Sequence, residues 1–275
     1  MPTSPCGPTC LPRRGHHDRV GPARVALRFT RAFVVFLVGA ALVAVLPFVP
    51  HDRRRVLFGR WFGLVLNAFG VEVVLRDAQR LDVTGPVLVA CNHVSWLDVI
   101  ALQSVRPMRL LAKAEVRDWP VVGGIAARAG TLFIEREGLR SLPAAVNRVA
   151  EALRGGSMIG VYPEGTTWCG RASGRHRPAV FQAAVEADAL VQPVALRYRV
   201  AGRPSTAAAF VGDATLLSSL VSVARTRGLV LELSALPPWD ARTVSDRREL
   251  ARRVEVAIRS ETEPALLRTE HLVAA

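Results

Sequence analysis

Hydrophobic positions along the chain fall into two regimes. In the first, the run AFVVFLVGAALVAVLPFV from Ala32 to Val49 carries no charge, with Arg24, Arg28 and Arg31 ahead of it and HDRRR at 51–55 behind it. At about 1.5 Å per helical residue this run barely reaches across a hydrocarbon core of about 30 Å, and Pro47 shortens it further. The long charged leader and the trailing arginines disfavour an export signal. A second apolar stretch, Val56 to Leu75, contains Arg60, Asn67 and Glu72. That pattern predicts an amphipathic helix lying in a membrane interface. Arginines at both ends of the first run suit a helical hairpin held in one leaflet; two ordinary core helices are the alternative.

From about Val83 short apolar runs alternate with helical patterns. Val87 to Cys91, Leu110 to Val116, Thr131 to Ile134, Met158 to Tyr162, Val191 to Tyr198 and Leu229 to Leu233 read as strands. Leu139, Leu142, Val146, Val149 and Leu153 share one face of a helix that tolerates Pro143 in its first turn and stops at Gly155-Gly156. Pro178 to Ala187 and Ser245 to Arg259 also read as helices, the latter with Leu250, Val254, Ala257 and Ile258 on one face. The alternation predicts an α/β fold with a mostly parallel mixed sheet flanked by helices, preceded by the membrane-associated hairpin. The organisation expected is a disordered basic leader (1–27), a membrane-associated helical segment (28–80), an α/β domain (81–262) and a tail (263–275).

Composition changes this picture in two ways. The 275 residues carry a formal charge of +13, and Lys113 is the sole lysine among the basic residues. No nucleic-acid motif or basic-aromatic interleaving accompanies the charge, so the partner it suggests is an anionic membrane surface rather than nucleic acid. Lys113 offers a compact charge that arginine cannot supply. Of the four cysteines, Cys6 and Cys10 lie in the Pro/Gly-rich leader with His16 and His17, while Cys91 and Cys169 read as buried or incidental. Reduced thiols fit better than a disulfide framework in a chain of this size, and no metal site is expected.

Polar groups fall where strands end, which is where sites lie in open α/β sheets. His93 follows the first of these strands and Asp98 comes five residues later in CNHVSWLD. An imidazole takes a proton from a hydroxyl, and a carboxylate on its far nitrogen fixes the tautomer. Ser95 and Asp98 also form a capping-box pattern, so Asp98 has a helix-start role as its competing explanation. No serine or cysteine nucleophile accompanies His93 and G-x-S-x-G is missing from the sequence, so direct transfer to a substrate hydroxyl is the expected chemistry. Arg136, after GTLFIE, offers a planar fork for phosphate. Glu164-Gly165 in YPEGTT reads as a tight turn whose backbone N–H groups face an anion; Glu164 accepts a substrate hydroxyl or braces Arg136. The stretch WCGRASGRHR after it, with Arg171, Arg175, His176 and Arg177, reads as a flexible basic loop.

In order, NHVSWLD, GTLFIER, YPEGTT and QPV resemble the four blocks of the glycerolipid acyltransferase family, typified by 1-acylglycerol-3-phosphate acyltransferase, over about residues 87 to 200. The resemblance implies a membrane-associated enzyme on the cytoplasmic face that moves a fatty acyl group from acyl-CoA or an acyl carrier protein to a lysolipid hydroxyl, without a further cofactor. By it, His93 is the base and Asp98 its orienting acid. Arg136, Glu164, Gly165 and Thr166 bind the acceptor's head, Pro193 shapes the site, and Lys113 or backbone N–H groups meet the oxyanion. The third block usually reads F-P-E-G-T-R. Here Tyr162 stands for the Phe and Thr167 for the Arg. The resemblance makes 1-acylglycerol-3-phosphate, giving phosphatidic acid, the expected acceptor. Losing that arginine removes a phosphate ligand and keeps another lysolipid, such as lyso-ornithine lipid, open, and a non-catalytic membrane lipid-binding protein on the same fold is the remaining alternative.

Overall fold

A computed structural model describes residues 4–11, 19–119, 121–135, 142–244 and 246–263. The strands are β1 (Val71–Arg76), β2 (Val87–Cys91), β3 (Arg109–Lys113), β4 (Leu132–Ile134), β5 (Met158–Val161), β6 (Leu190–Val200), β7 (Arg203–Pro204), β8 (Leu229–Ala235) and β9 (Trp239–Asp240). The helices are α1 (Pro22–Val45), α2 (His51–Phe69), α3 (Trp96–Val105), α4 (Val122–Arg128), α5 (Leu142–Arg154), α6 (Ala179–Glu186), α7 (Leu216–Arg225) and α8 (Arg247–Thr262). The main sheet runs β1-β8-β6-β2-β5-β3-β4. β6, β2, β5, β3 and β4 are mutually parallel; β1 and β8 are parallel to each other, and β8 lies antiparallel to β6.

Period-two alternation sorts the strand side chains between two helical layers. Val87, Val89 and Cys91 of β2 join Leu231 and Leu233 of β8 against α2, α3 and α7. Leu88 and Ala90 point the other way, to Val149 and Leu153 of α5, Phe181 of α6, and Leu250, Val254 and Ile258 of α8. Every residue of β2 is buried, as a central parallel strand covered on both faces must be.

The helix over 139–153 is described from Leu142, and Leu139 lies outside the described residues. Likewise α8 is described from Arg247, capped by Asp246, whose side chain accepts Arg248 N–H and Glu249 N–H; Ser245 is outside the described residues. The strand expected over Leu110 to Val116 ends at Lys113. Its parallel pairing with β4 stops at Lys113–Ile134, and the chain then coils into a short 3₁₀ turn, Ala114–Asp118.

The N-terminal region departs further from expectation. Val56 to Leu75 is not one amphipathic helix. Gly70, at φ 68°, ends α2 in the left-handed region, and the remaining apolar residues become β1, an edge of the main sheet. A Cβ at Gly70 would also run into the Arg28 guanidinium. Nor is the whole 1–27 leader loose. Cys6 and Val20 are buried, Val20 N–H bonds Arg225 C=O at 2.9 Å, and α1 already starts at Pro22. Arg28 of α1 donates to the C=O groups of Ala224 and Thr226 at 2.9 and 2.7 Å, neutralising orphan acceptors at the end of α7. The first turns of α1 thus belong to the domain.

Past that clamp α1 is apolar and uncovered. Phe33, Val34, Phe36, Leu37, Val38 and Val45 are exposed, with Phe48 87% exposed just beyond the helix. Pro22–Phe48 is the one helical stretch among the described residues long and apolar enough to cross a membrane, and only 11% of its most apolar window is buried. Trp61 of α2 donates to Val35 C=O at 2.9 Å, and Leu46, Phe58 and Ile125 form a small core beneath the α1–α2 pair.

Candidate active site

β2 delivers the chain to Asn92 and His93, and the next turn starts α3. Ser95 is the N-cap: its hydroxyl accepts Leu97 N–H, and the full capping box with Asp98 is present. The cap competes with nothing. Asp98 Oδ2 accepts Ser95 N–H at 2.8 Å, Val94 N–H at 2.6 Å and the His93 ring at Nδ1, 2.9 Å. Because Oδ2 already accepts from two amides as a carboxylate, the imidazole donates from Nδ1 and keeps Nε2 as a proton acceptor. Asp98 is fully buried, while the His93 side chain is 20% exposed. The stretch from His93 to Asp98 therefore both starts a helix and fixes the orientation of an imidazole.

Beneath the pair lies Tyr198 of β6, whose phenol donates to Asp98 Oδ1 at 2.5 Å. Burial, followed by the Asp98 charge, holds this phenol protonated by raising its pKa well above the usual value. Asn92 sets the register that brings it there. Its side chain donates to Leu196 C=O at 3.0 Å and accepts Leu196 N–H at 2.8 Å, extending the β2–β6 ladder by one amide. Above the pair, the Tyr162 ring stacks on His93 with centroids 4.1 Å apart and planes at 22°.

The YPEGTT turn follows β5, beside β2. Glu164 is 3% exposed and acts as a brace rather than as an outward-facing ligand: Oε2 accepts His93 N–H at 2.7 Å and Oε1 accepts Gly174 N–H at 2.8 Å. Burial raises its pKa to about 7, against the pull of those two amides. The stretch 168–177 is correspondingly not a loose basic loop. Trp168 N–H bonds His93 C=O at 2.7 Å, Arg177 N–H bonds Pro163 C=O at 2.9 Å, and Arg259 of α8 donates to the Ser173 hydroxyl at 2.9 Å. Gly174 lies flat against the Trp168 indole, where any Cβ would collide. His176 is buried and its pKa falls to about 3, first from burial and then from Arg259. The Thr167 hydroxyl donates to Phe210 C=O, so it faces a second loop that also holds Val94 C=O through Phe210 N–H at 2.9 Å.

A cleft at this end of the sheet is lined by His93, Glu164, Trp168, Arg171 and Ser173, with Thr262 at the close of α8. Of the residues singled out from the sequence, His93 and Asp98 meet directly. Glu164 and Gly165 lie in the adjacent turn, with Thr166 half-buried beside them. Pro193 is registered with Ala90 near the end of β2, where β6 passes from β9 to β8. Lys113 ends β3, which is separated from β2 by β5, and it does not line the cleft. Arg136 lies outside the described residues, as do His16 and His17. Sequence reading missed Tyr198, Asn92 and the stacking face of Tyr162. Tyr198 left one signal: a polar-tipped aromatic in phase with Val194 and Leu196 on an apolar strand face needs a buried partner.

A carboxylate-bound imidazole stands at the carboxyl edge of a largely parallel sheet in an α/β fold, with Ser95 spent as a helix cap. Residues 72–197 match the Acyltransferase family model. The lyso-ornithine lipid O-acyltransferase of Pseudomonas aeruginosa is 40% identical over 207 residues, covering 75% of this chain and 78% of that protein. The 1-acyl-sn-glycerol-3-phosphate acyltransferase of Neisseria gonorrhoeae is 36% identical over 212 residues, covering 77% and 82%. The chain belongs to this acyltransferase family and is an O-acyltransferase. Its fold is shared with the crystal structure of the 1-acyl-sn-glycerophosphate acyltransferase PlsC from Thermotoga maritima, at a TM-score of 0.68, 19% identity, and 86% of this chain covered against 93% of that one.

Proposed function

We propose that the protein transfers a fatty acyl group from a thioester donor, acyl-CoA or an acyl carrier protein, to the hydroxyl of a lysolipid. The observation that carries the reading is the His93 Nδ1–Asp98 Oδ2 bond with Nε2 left as acceptor. Nε2 takes the hydroxyl proton as the oxygen attacks the thioester carbonyl; Asp98 stabilises the imidazolium, which then protonates the departing thiolate. The Tyr162 ring shields one imidazole face from water. The primary acceptor is 1-acylglycerol-3-phosphate, giving phosphatidic acid, with Arg171 of the cleft as a phosphate-facing cation and Arg136 as a second. Lyso-ornithine lipid is the second reading. It is favoured by Thr167, which turns to Phe210 where the family carries a cation, and by relatives of that name from Pseudomonas aeruginosa and Brucella abortus.

The apolar face of α1 docks the enzyme on the cytoplasmic side of the membrane, with the hairpin held in one leaflet. The arginines of a second concavity (Arg54, Arg55, Arg106 and Arg128) supply a basic surface for anionic headgroups or an acidic carrier protein. The test supplies labelled acyl-CoA or acyl carrier protein and a panel of lysolipids to wild type and His93→Ala. Acylated lipid is expected from the wild type, with a loss of at least about 10³-fold in the variant. Undiminished transfer by His93→Ala refutes the mechanism, and the acceptor that turns over decides between the two lipids.

A further inference from the structure

Three of the chain's four cysteines converge in space, although two come from the N-terminal segment and one from the active-site loop. The sulfurs of Cys6, Cys10 and Cys169 all lie within 4.8 Å of one another. Cys6 and Cys169 are buried and Cys10 is half-buried, and none of the three is in a disulfide. The segment that brings the first two is held in place. Cys10 N–H closes on Gly7 C=O at 3.0 Å, its C=O accepts the Thr206 hydroxyl at 2.8 Å, and Gly7 and Pro8 approach Gly212 closely.

We propose that Cys6, Cys10 and Cys169 form a binding site for a thiophilic d¹⁰ cation, with Zn²⁺ as its representative. Thiolates are the ligands such an ion prefers, and the C-G-P-T-C stretch has the short spacing found in structural zinc sites. Zinc–sulfur bonds of about 2.3 Å put neighbouring thiolates about 3.8–4.0 Å apart, so small side-chain rotations close the observed triangle on a metal. The half-buried side at Cys10 leaves a fourth position to water. Binding converts three thiols to thiolates and releases three protons; the strongly basic chain tolerates the resulting local negative charge. Simple apolar packing of three small thiols is the competing explanation. It accounts for burial, but not for two cysteines being bent to the third across a Pro/Gly turn that contributes little else to the core.

The placement gives the site a consequence. Cys169 follows Trp168, whose N–H holds His93 C=O, and Gly170 lines the cleft. Thr206 and Gly212, against which the segment docks, flank Phe210, whose amide holds Val94 C=O. A metal here ties the N-terminal segment to both loops that frame the base.

The test uses the full chain, purified with reductant and stripped of metal. Zn²⁺ is titrated against a chromophoric chelator, and Co²⁺ is added separately for its thiolate charge-transfer absorption. One equivalent is expected to bind, with that absorption present in the wild type and in Cys91→Ala. Cys10→Ser and Cys169→Ser should each weaken binding more than about 100-fold, beyond the loss typical of changes outside the ligand shell. The proposal is overturned by Co²⁺ binding without charge transfer, by zinc affinity unchanged in Cys10→Ser and Cys169→Ser, or by a disulfide among these three cysteines in protein isolated without oxidant. The wild-type cobalt spectrum reads thiolate ligation directly, so the outcome stands even where a variant folds poorly.

Discussion

Tyr198→Phe removes a single hydroxyl beneath the site and leaves a ring that is 4% exposed in its slot on β6. The hydroxyl's partner is Asp98 Oδ1, a carboxylate oxygen with no exposure, whose sister Oδ2 carries the bonds to His93, Val94 and Ser95. A hydrogen bond to a charged group contributes about 1.5–3 kcal/mol, and Oδ1 has no route to solvent to recover it. The variant should therefore lose about 2 kcal/mol of stability. For the 150–250-residue size class that lowers the midpoint of thermal unfolding by about 4–8 °C. Because Oδ2 keeps its contact with Nδ1, turnover should fall by less than about tenfold. The control is Asp98→Asn, where the phenol faces a neutral amide and its bond returns to the range of about 0.5–1.5 kcal/mol. In that background Tyr198→Phe should cost about 1 kcal/mol less, a coupling that thermal melts in detergent resolve across the four proteins of a double-mutant cycle. Additive melting shifts, or a Tyr198→Phe protein as stable as wild type, would refute the claim that the phenol stabilises a buried anion.

Two further outcomes follow from the same neighbourhood. The Tyr162 hydroxyl is buried without a hydrogen-bond partner among the described residues, so Tyr162→Phe should raise stability by about 1 kcal/mol while preserving the ring stacked on His93; a lower melting temperature, or a collapse of activity, argues against it. Glu164 has a folded-state pKa of about 7 against an ordinary 4.5. A carboxyl raised on folding binds its proton more tightly in the native state, so its contribution is fully present below about pH 4.5 and is lost as pH climbs to 7. At about 1.36 kcal/mol per unit this amounts to about 3 kcal/mol. Melting wild type and Glu164→Gln from pH 4.5 to 8 should show the wild type losing ground to the variant over that window, and a flat or rising difference sinks the assignment.

Legibility in the sequence tracked the distance over which each contact acts. His93 and Asp98 sit within a strand end, a turn and a first helical turn, so the spacing allows them to meet, although it reads equally as a helix cap until the other blocks of the family resemblance are set beside it. Burial of both faces of β2 and the helical faces of α5 and α8 follow from local periodicity in the same way. Tyr198 lies a hundred residues from Asp98, and no local pattern states that β6 pairs with β2 in the register that joins them. The inward turn of Glu164 was hidden for a related reason: an acid on a Pro-Gly turn reads as solvated until the chain at Gly174 folds back to supply its second amide. At the N-terminus the error was one of continuity. Apolar residues run on from α2 into β1, and the signal that separates them is Gly70 at a positive φ between the two. The antiparallel pairing of β8 leaves no periodic trace either, since a buried strand alternates identically in both directions.

β6 explains why Asp98 is held as firmly as His93. It is 11 residues long, against 5 for β2. Its first half pairs in parallel with β2 as far as Cys91–Val194, and its second half pairs antiparallel with β8. The portion that overhangs β2 is where Leu196 meets Asn92 and Tyr198 meets Asp98. His93 thus rides on a turn that Glu164 and Trp168 hold from above through its N–H and C=O, while its carboxylate is anchored from below by the sheet. Because strand side chains alternate, slipping β6 by one residue would send Tyr198 to the opposite layer and leave Asp98 Oδ1 bare. The Asn92 amide, bonded both to N–H and to C=O of Leu196, is the register lock that prevents it. Asn92, which also lines the cleft, therefore positions His93 through strand pairing.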